Sequence, residues 1–342
     1  MSTVKLGRTG IVSDKNAFGA LPIQRVDAAY AGKLLRKAYD AGWTYFDTAR
    51  GYSDSEEKIG LAMSDIRDKI VIATKTMSFD ADGFWEQLHT SLKKLKTDYI
   101  DVYQFHNPGY VPRPGDSHGL YDAMLKAKEQ GKVRYIGITN HRLPVAEEAV
   151  RSGLYDTLQF PFSYLAGDKD LALVKLCEEL GVGFVCMKAL SGGLITSGAA
   201  AYAWLNTVPN ALPIWGVQRE SELDEFISFS STPPTLTGEI EQTIARDRKE
   251  LAGEFCRGCG YCMPGCPAQI QVATAARMIQ LIRRSPSAGH LSEQGKRMMR
   301  QVNECVDCGQ CKQACPYGLD TPTLLRKNLK DFEAIVAGKV TI

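Results

Sequence analysis

The stretch Tyr99-Ile100-Asp101-Val102-Tyr103 predicts a short, largely apolar β-strand, and Val133-Arg134-Tyr135-Ile136-Gly137-Ile138 predicts another. Between them, residues 122–130 have the pattern of a helix, and Gly131 provides a C-terminal stop. Strands that alternate with helices indicate a parallel sheet, because parallel neighbours need a crossover connection. This strand–helix–strand unit therefore predicts an α/β fold.

The same unit repeats in both directions along the chain. Eight strands within about 235 residues fit a (β/α)8 TIM barrel, which typically has about 250 residues. A doubly wound open sheet is the alternative, but it would carry a Gly-x-Gly-x-x-Gly after an early strand, and none is present. The other predicted strands are one that ends near residues 18–21 and those at 44–46, 70–73, 157–160, 183–187 and 212–215.

The pattern changes after residue 228. Ser231-Thr232-Pro233-Pro234-Thr235 predicts a linker, and helices and cysteine-containing loops follow it. We therefore expect two domains, a barrel over residues 1–235 and a mostly α-helical, ferredoxin-like domain over residues 236–342. One long helical segment is expected at 269–284.

Composition narrows the functional classes. The chain has 41 Lys+Arg and 39 Asp+Glu, a formal net charge of +2, which gives no whole-chain argument for a nucleic-acid or membrane partner. Its apolar runs are too short to span a bilayer, and Met1-Ser2-Thr3-Val4-Lys5 lacks the apolar core of a signal peptide. We expect a cytoplasmic protein with reduced thiols.

Eight of the ten cysteines lie in two runs of identical spacing. The spacing C-x2-C-x2-C-x3-C-P is that of bacterial iron–sulfur proteins, in which the fourth cysteine of a run binds the other cluster. Zinc is the alternative, but zinc sites usually have two separated C-x2-C pairs. We expect two [4Fe-4S] clusters, one on Cys256, Cys259, Cys262 and Cys315 and the other on Cys305, Cys308, Cys311 and Cys266. The remaining two, Cys177 and Cys186, are expected to fill the core.

Polar side chains lie at or just after the C-terminal ends of three consecutive predicted strands. Asp47 follows one strand and Tyr52 comes shortly after it, Lys75 ends the next, and His106 ends the one after that. In a parallel barrel these strand ends form the face that carries chemistry. Each residue alone could be structural, but together they predict an active site.

Several motifs resemble those of the aldo-keto reductases. Leu6-Gly7-Arg8-Thr9-Gly10 resembles the opening of that family, and residues 42–56 resemble its Asp/Tyr signature. Residues 101–106 and 131–140 are similar to its histidine strand and to the segment that reaches the nicotinamide. The resemblance covers roughly residues 1–230, and the whole chain is similar to the subgroup with a C-terminal iron–sulfur extension.

This resemblance implies an NAD(P)-dependent oxidoreductase that interconverts a small carbonyl compound and an alcohol by hydride transfer. Tyr52 would be the general acid and base. A phenol with a pKa near 10 is a poor acid–base group at neutral pH, and a nearby Lys75 would lower that pKa. Asp47 would hold Lys75, and His106 would orient the carbonyl oxygen.

The resemblance also implies a nicotinamide site. Thr139, Asn140 and Gln159 would bind the carboxamide, and Phe162 would stack on the ring where the family usually has Tyr. A loop with Lys188, Leu190 and Gly192 would cover the pyrophosphate. Gln218 and Arg219 stand at the adenosine end, but Glu220 beside them would oppose a 2′-phosphate, so NAD and NADP both stay open.

The purpose of the clusters is open at this stage. A nicotinamide transfers two electrons together as a hydride, whereas an iron–sulfur cluster transfers one electron at a time. Electron transfer between a nicotinamide and a cluster therefore needs a group that can do both, such as a flavin. No flavin motif is evident in the sequence. The clusters could exchange electrons with a ferredoxin- or flavodoxin-type partner, sense redox state, or be structural. In the alternative function, the protein transfers electrons or senses redox state, and the barrel is a docking or sensing platform.

Overall fold

A computed structural model describes residues 3–284 and 286–341. These residues form two compact units. One comprises the chain up to Leu190 together with Ser197–Gln242, and the other comprises Ser191–Thr196 together with the chain from Thr243 onward. In the described ranges, no helix has the length and apolar character needed to cross a membrane.

The first unit contains a closed barrel of parallel strands preceded by a small antiparallel hairpin. The hairpin strands are β1 (Thr3–Lys5) and β2 (Val12–Asp14). The barrel strands are β3 (Ala17–Gly19), β4 (Tyr45–Asp47), β5 (Val71–Thr76), β6 (Ile100–His106), β7 (Val133–Thr139), β8 (Thr157–Pro161), β9 (Gly183–Met187) and β10 (Ala211–Gly216).

Each barrel strand pairs with its neighbours in sequence, and β10 closes the barrel onto β3. In that closing pair, Ile214 lies opposite Ala17 and Trp215 lies opposite Phe18. The predicted (β/α)8 barrel is thereby confirmed. All the strand ends that carry the candidate residues lie at the same, C-terminal face.

Capping residues mark both ends of the first helix of this unit. Asp27 is the N-cap of this helix, since its carboxylate accepts a hydrogen bond of 2.7 Å from the Tyr30 amide, and Gly42 follows its end with a φ of 94°. The helices are α1 (Ala28–Asp40), α2 (Ser55–Met63), α3 (Ala81–Leu95), α4 (Leu120–Glu129), α5 (Leu143–Arg151), α6 (Asp168–Glu179), α7 (Gly198–Asn206) and α8 (Glu220–Ser231).

The hairpin contributes to an apolar cluster with the barrel strands. Val4 and Leu6 pack with Tyr45, Val102 and Leu212 in this cluster, and all five are buried. Burial of such side chains stabilises the fold by about 1.5–3 kcal/mol each. Cys177 and Cys186 are also fully buried, as expected for cysteines that fill a core.

The second unit is helical. Its longest helix packs Leu325, Leu329 and Phe332 against Met278 and Met299 in a separate core. The helices are α9 (Gly238–Leu251), which begins in the first unit, α10 (Val272–Ala275), α11 (Met278–Arg284), α12 (Ser287–His290), α13 (Glu293–Arg300), α14 (Gln310–Gln313) and α15 (Thr321–Val336).

The single helical segment predicted at 269–284 is wrong, because the structure has α10 and α11 there. At the break, the Arg277 amide donates to Thr274 O at 3.1 Å, one residue short of the α-helical partner. The Ala273 carbonyl that would have accepted that bond accepts instead from Arg277 Nε at 2.9 Å. A side chain thus replaces the backbone donor and ends the helix.

Candidate active site and cluster-binding cavities

The four residues predicted to form an active site meet at the C-terminal face of the barrel. Asp47 ends β4, Lys75 lies near the end of β5, His106 ends β6, and Tyr52 lies in the turn between β4 and α2. Lys75 Nζ is 2.7 Å from Asp47 Oδ1 and 5.0 Å from the centre of the Tyr52 ring. The rings of Tyr52 and His106 are 5.9 Å apart and nearly perpendicular.

The turn that carries Tyr52 is fixed by a buried carboxylate. Glu56, at the start of α2, pairs with Arg50 and accepts a hydrogen bond of 2.7 Å from Thr74 Oγ1 on β5. The Arg50 amide also donates to Lys75 O at 3.0 Å. Both ends of the turn are therefore tied to the strand that carries Lys75. Sequence reasoning did not single out Glu56 or Thr74.

Lys75 and Asp47 form a buried ion pair. Both side chains are about 2% exposed or less, and Lys75 Nζ also donates to Thr48 O at 2.5 Å. Burial raises the pKa of Asp47, while the Lys75 ammonium beside it acts in the opposite direction. The paired arrangement places a positive charge directly beside the Tyr52 ring.

The pKa of Tyr52 is raised above its ordinary value, which corrects the expected lowering. Burial is the largest cause, because a dry environment disfavours the phenolate. The Lys75 ammonium does lower the pKa, as predicted, but by less than burial raises it, and the Asp47 carboxylate adds to the raising. The phenol therefore keeps its proton at neutral pH.

His106 is neutral over the physiological range. Burial lowers its pKa to about 3, and the Lys75 ammonium acts in the same direction. A neutral imidazole carries one N–H donor and one acceptor. In the described part of the chain, His106 Nδ1 is buried without a hydrogen-bond partner.

A pair of buried amides lies beside the ion pair. Gln104 Nε2 on β6 donates to Gln159 Oε1 on β8 at 3.0 Å, and Gln159 Nε2 lies 3.4 Å from Asp47 Oδ1. Both side chains are at most 1% exposed. Gly137 on the intervening β7 makes room, since a Cβ there would lie 2.7 Å from Gln104 Cγ. Gln104 was missed, although its position two residues before His106 puts both on the inward face of the strand.

Two of the residues predicted to bind the carboxamide have protein partners. Asn140 Nδ2 donates to Pro108 O at 2.9 Å, and Asn140 Oδ1 accepts from the Arg142 amide at 2.8 Å. Thr139 Oγ1 accepts from the Asn107 amide at 3.0 Å. These bonds fix the loops after β6 and β7 at the mouth of the barrel.

Phe162, for which a stacking role is predicted, is buried. Its ring is 1% exposed, and it packs 5.4 Å from the Phe184 ring and 5.3 Å from the Trp204 ring, centre to centre. Phe184 lies on β9, and Trp204 lies on α7.

The loop after β9 has an unusual backbone. Lys188, Ser191 and Gly192 all have positive φ values, of 57°, 50° and 71°. Such values are rare outside glycine. Leu190 is partly exposed between them, and Gly192 belongs to the segment Ser191–Thr196 of the second unit.

At the predicted adenosine end, the basic residue has a carboxylate partner. Arg219 donates from its NH2 group to Glu222 Oε1 at 2.8 Å, and Glu222 Oε2 accepts from the amides of Gln218 and Arg219. Glu220 pairs with Lys33 and Lys37. Among the described residues, none donates a hydrogen bond to the buried Gln218 Oε1.

The eight cysteines of the two runs line two cavities in the second unit, four to each. The first cavity is lined by Cys256, Cys259, Cys262 and Cys315. The second is lined by Cys305, Cys308, Cys311 and Cys266. Each run therefore contributes three sulfurs to one cavity and its fourth to the other, which is the arrangement that the spacing predicts.

The donor set of the first cavity fits a cationic centre. Burial raises the pKa of Cys262 to about 12, and the neighbouring Cys256 and Cys259 add to the effect. A thiol in such surroundings becomes a thiolate only when a positive centre compensates its charge. In the described part of the chain, no three His, Cys, Asp or Glu side chains are arranged to hold a single metal ion. The C-x2-C-x2-C-x3-C-P spacing of these cysteines fits a multi-iron cluster better than zinc.

Models of known protein families match both the barrel and the cysteine-containing region of the chain. The model of the aldo/keto reductase family matches residues 15–201, which is more than half of the chain. The chain therefore belongs to the aldo/keto reductase family. A model described as a 4Fe-4S dicluster domain matches residues 255–320, a range that includes all eight cysteines of the two runs.

Curated relatives resemble the barrel part. Aldo-keto reductase str7 of Strobilurus tenacellus is 33% identical over 175 residues, which are 48% of this chain and 51% of the relative. L-galactose dehydrogenase of Arabidopsis thaliana is 28% identical over 212 residues, 56% of this chain and 66% of the relative. Methylglyoxal reductase DkgB of Salmonella typhi is 36% identical over 124 residues, 34% of this chain and 45% of the relative. The chain thus spans about half to two thirds of the length of these relatives.

Solved structures share the fold. A thermostable aldo-keto reductase, solved in complex with the inhibitor epalrestat, superposes with a TM-score of 0.59 at 25% identity. The match covers 72% of this chain and 99% of that one. The remainder of this chain has no counterpart in that structure.

Proposed function

We propose that this protein is an NAD(P)-dependent oxidoreductase that interconverts a small carbonyl compound and an alcohol. The observation that carries the proposal is the meeting of Tyr52, Lys75, Asp47 and His106 at the C-terminal face of the barrel. Relatives with matching barrel segments include an L-galactose dehydrogenase and a methylglyoxal reductase. Both names describe chemistry between an alcohol and a carbonyl group.

In the proposed reduction, Tyr52 donates its proton to the carbonyl oxygen of the substrate. The phenol is protonated at neutral pH, and burial makes it a weaker acid than an exposed phenol. The nearby Lys75 ammonium stabilises the phenolate that forms, because attraction between opposite charges is strong where water is excluded. Asp47 fixes Lys75 in place through their 2.7 Å contact.

His106 positions the substrate in this proposal. Its neutral imidazole donates a hydrogen bond to the carbonyl oxygen and holds it beside the Tyr52 hydroxyl. A protonated imidazole would place a second positive charge near Lys75, and the lowered pKa of His106 avoids this. The nicotinamide cofactor, when bound, supplies the hydride in reduction and accepts it in oxidation.

NAD suits the adenosine end better than NADP. A 2′-phosphate needs cations, but Arg219 is held by Glu222, and both nearby lysines pair with Glu220. The buried Gln218 Oε1 is a hydrogen-bond acceptor, which suits the hydroxyl of a ribose and opposes a phosphate. We therefore propose a preference for NADH over NADPH.

The two cysteine-lined cavities are proposed to hold two [4Fe-4S] clusters. The clusters would allow the protein to transfer single electrons in addition to transferring hydride, which carries two. The exposure of Cys308 favours exchange of electrons with a separate redox protein, because one ligand of the second cluster reaches the surface. As a second candidate function, the protein is an electron-transfer or redox-sensing protein.

Anaerobic purification followed by iron, sulfide and flavin analysis tests the cluster assignment. Steady-state assays with 4-nitrobenzaldehyde and methylglyoxal as probe carbonyls, and with NADH or NADPH, then test the enzymatic part. We expect NAD(P)H oxidation that depends on the carbonyl, with a higher kcat/KM for NADH. Intact clusters that a ferredoxin reduces, in a protein without any carbonyl-dependent turnover, would favour the second candidate.

A further inference from the structure

The two cysteine runs are equivalent in spacing but differ in their surroundings. In the first run, the residue after the first cysteine is Arg257, which is 6% exposed, whereas in the second run it is Val306, which is 68% exposed. The second cysteine of the first run, Cys259, is buried, whereas the second cysteine of the second run, Cys308, is exposed. The identical sequence spacing therefore produces two unequal sites.

Arg257 is the one charged side chain among the described residues that line the first cavity. The centre of its guanidinium lies 4.1 Å from the centre of the Tyr317 ring and 5.8 Å from that of Phe255. Stacking of this kind holds a planar cation in a fixed position. No charged side chain occurs among the described residues that line the second cavity.

A buried cation acts differently on the two oxidation states of a cluster. With four thiolates, a [4Fe-4S] centre carries a formal charge of about −2 when oxidised and about −3 when reduced. A fixed positive charge therefore stabilises the reduced state more, and burial strengthens the attraction because little water screens it. Net charge and surroundings are recognised determinants of cluster reduction potentials.

From this asymmetry we propose that Arg257 raises the reduction potential of the cluster in the first cavity and thereby makes the two clusters inequivalent. The inference rests on the proposed ligation of two clusters by the eight cysteines. Arg257 would act on the cluster through its charge and not as a ligand, since four cysteines line this cavity.

Potentiometric titration followed by electron paramagnetic resonance tests this inference on the full chain. In wild type we expect two separate one-electron steps. Arg257→Gln should shift one step to a more negative potential and leave the other in place, whereas Arg257→Lys, which keeps the charge, should stay closer to wild type.

Arg326→Gln is the matched control. Arg326 pairs with Asp307 of the second run but its side chain is 50% exposed, so water and salt screen the loss of its charge. We expect a smaller shift than for Arg257→Gln. Iron and sulfide analysis of each variant confirms that both clusters are present.

Two results would overturn the inference. One is an Arg257→Gln protein with wild-type iron content and both potentials unchanged. The other is loss of the first cluster in Arg257→Gln but not in Arg257→Lys, because Arg257 would then be needed for assembly and not for tuning. Wild-type protein that holds no clusters would instead contradict the proposed ligation itself.

Discussion

Lys75 Nζ lies 2.7 Å from Asp47 Oδ1 in a buried ion pair, and 5.0 Å from the centre of the Tyr52 ring. A buried pair of this kind is strongly coupled, because each charge is costly without the other. The pair is therefore both part of the proposed catalytic apparatus and a vulnerable point of the fold.

Replacing Lys75 by Met should leave the Asp47 carboxylate buried without its cation. We expect the free energy of unfolding to fall by about 3–5 kcal/mol, as measured by urea denaturation. Asp47→Asn together with Lys75→Met should recover part of this loss, because the double variant buries no charge at the pair. Equal destabilisation of the single and double variants would contradict the coupling.

The lowered pKa of His106 predicts a pH dependence of stability. Burial holds the pKa of folded His106 at about 3, against an ordinary value of 6.5. Between these values the unfolded chain binds more protons than the folded one, so stability rises with pH across this window and is lost as the pH falls through it.

Urea denaturation across that window, with His106→Gln as the comparison, measures this contribution. The variant should lose less stability than wild type as the pH falls, since its side chain does not titrate. Parallel losses in the two proteins would show that His106 does not contribute.

Gln104 is predicted to position Gln159 in the active site. Gln104→Met keeps the length of the side chain but removes the 3.0 Å bond to Gln159 Oε1. A buried acceptor left without its donor costs about 1–3 kcal/mol. We expect an increase in the KM for NADH that exceeds the fall in kcat, because Gln159 is proposed to bind the carboxamide.

Thr157→Val is the matched control for this substitution. Thr157 is buried on β8, and within the described residues its hydroxyl has no hydrogen-bond partner. Its loss should leave the KM for NADH unchanged. If both variants raise the KM equally, the effect is general loosening of the barrel interior and Gln104 has no positioning role.

The sequence predicted the barrel because each strand–helix unit carries its own local signal. The Asp27 cap and the Gly42 stop, for example, are readable from neighbouring residues alone. The hairpin Thr3–Lys5 with Val12–Asp14 was not predicted, since each of its strands has only one buried residue and no apolar run. The helix break at Arg277 depends on a side-chain bond to Ala273 O that no periodicity reveals.

Some features of the candidate site could likewise be predicted from the sequence, and others could not. Residue types at strand ends predicted which side chains meet, and Asp47, Tyr52, Lys75 and His106 do meet. The direction of the Tyr52 pKa shift was wrong, because it depends on a balance between burial and the Lys75 charge. Burial is a property of the assembled barrel and cannot be read from a motif.

The role of Tyr52 as proton donor is the central claim, and Tyr52→Phe tests it most directly. The substitution removes one hydroxyl and keeps the ring that packs near Lys75 and His106. The measurement is the kcat for NADH-dependent reduction of 4-nitrobenzaldehyde, with iron content and NADH binding checked in parallel. We predict a loss of at least about 100-fold, as expected for removal of a general acid, with clusters and NADH affinity retained. Turnover equal to that of wild type would contradict the account.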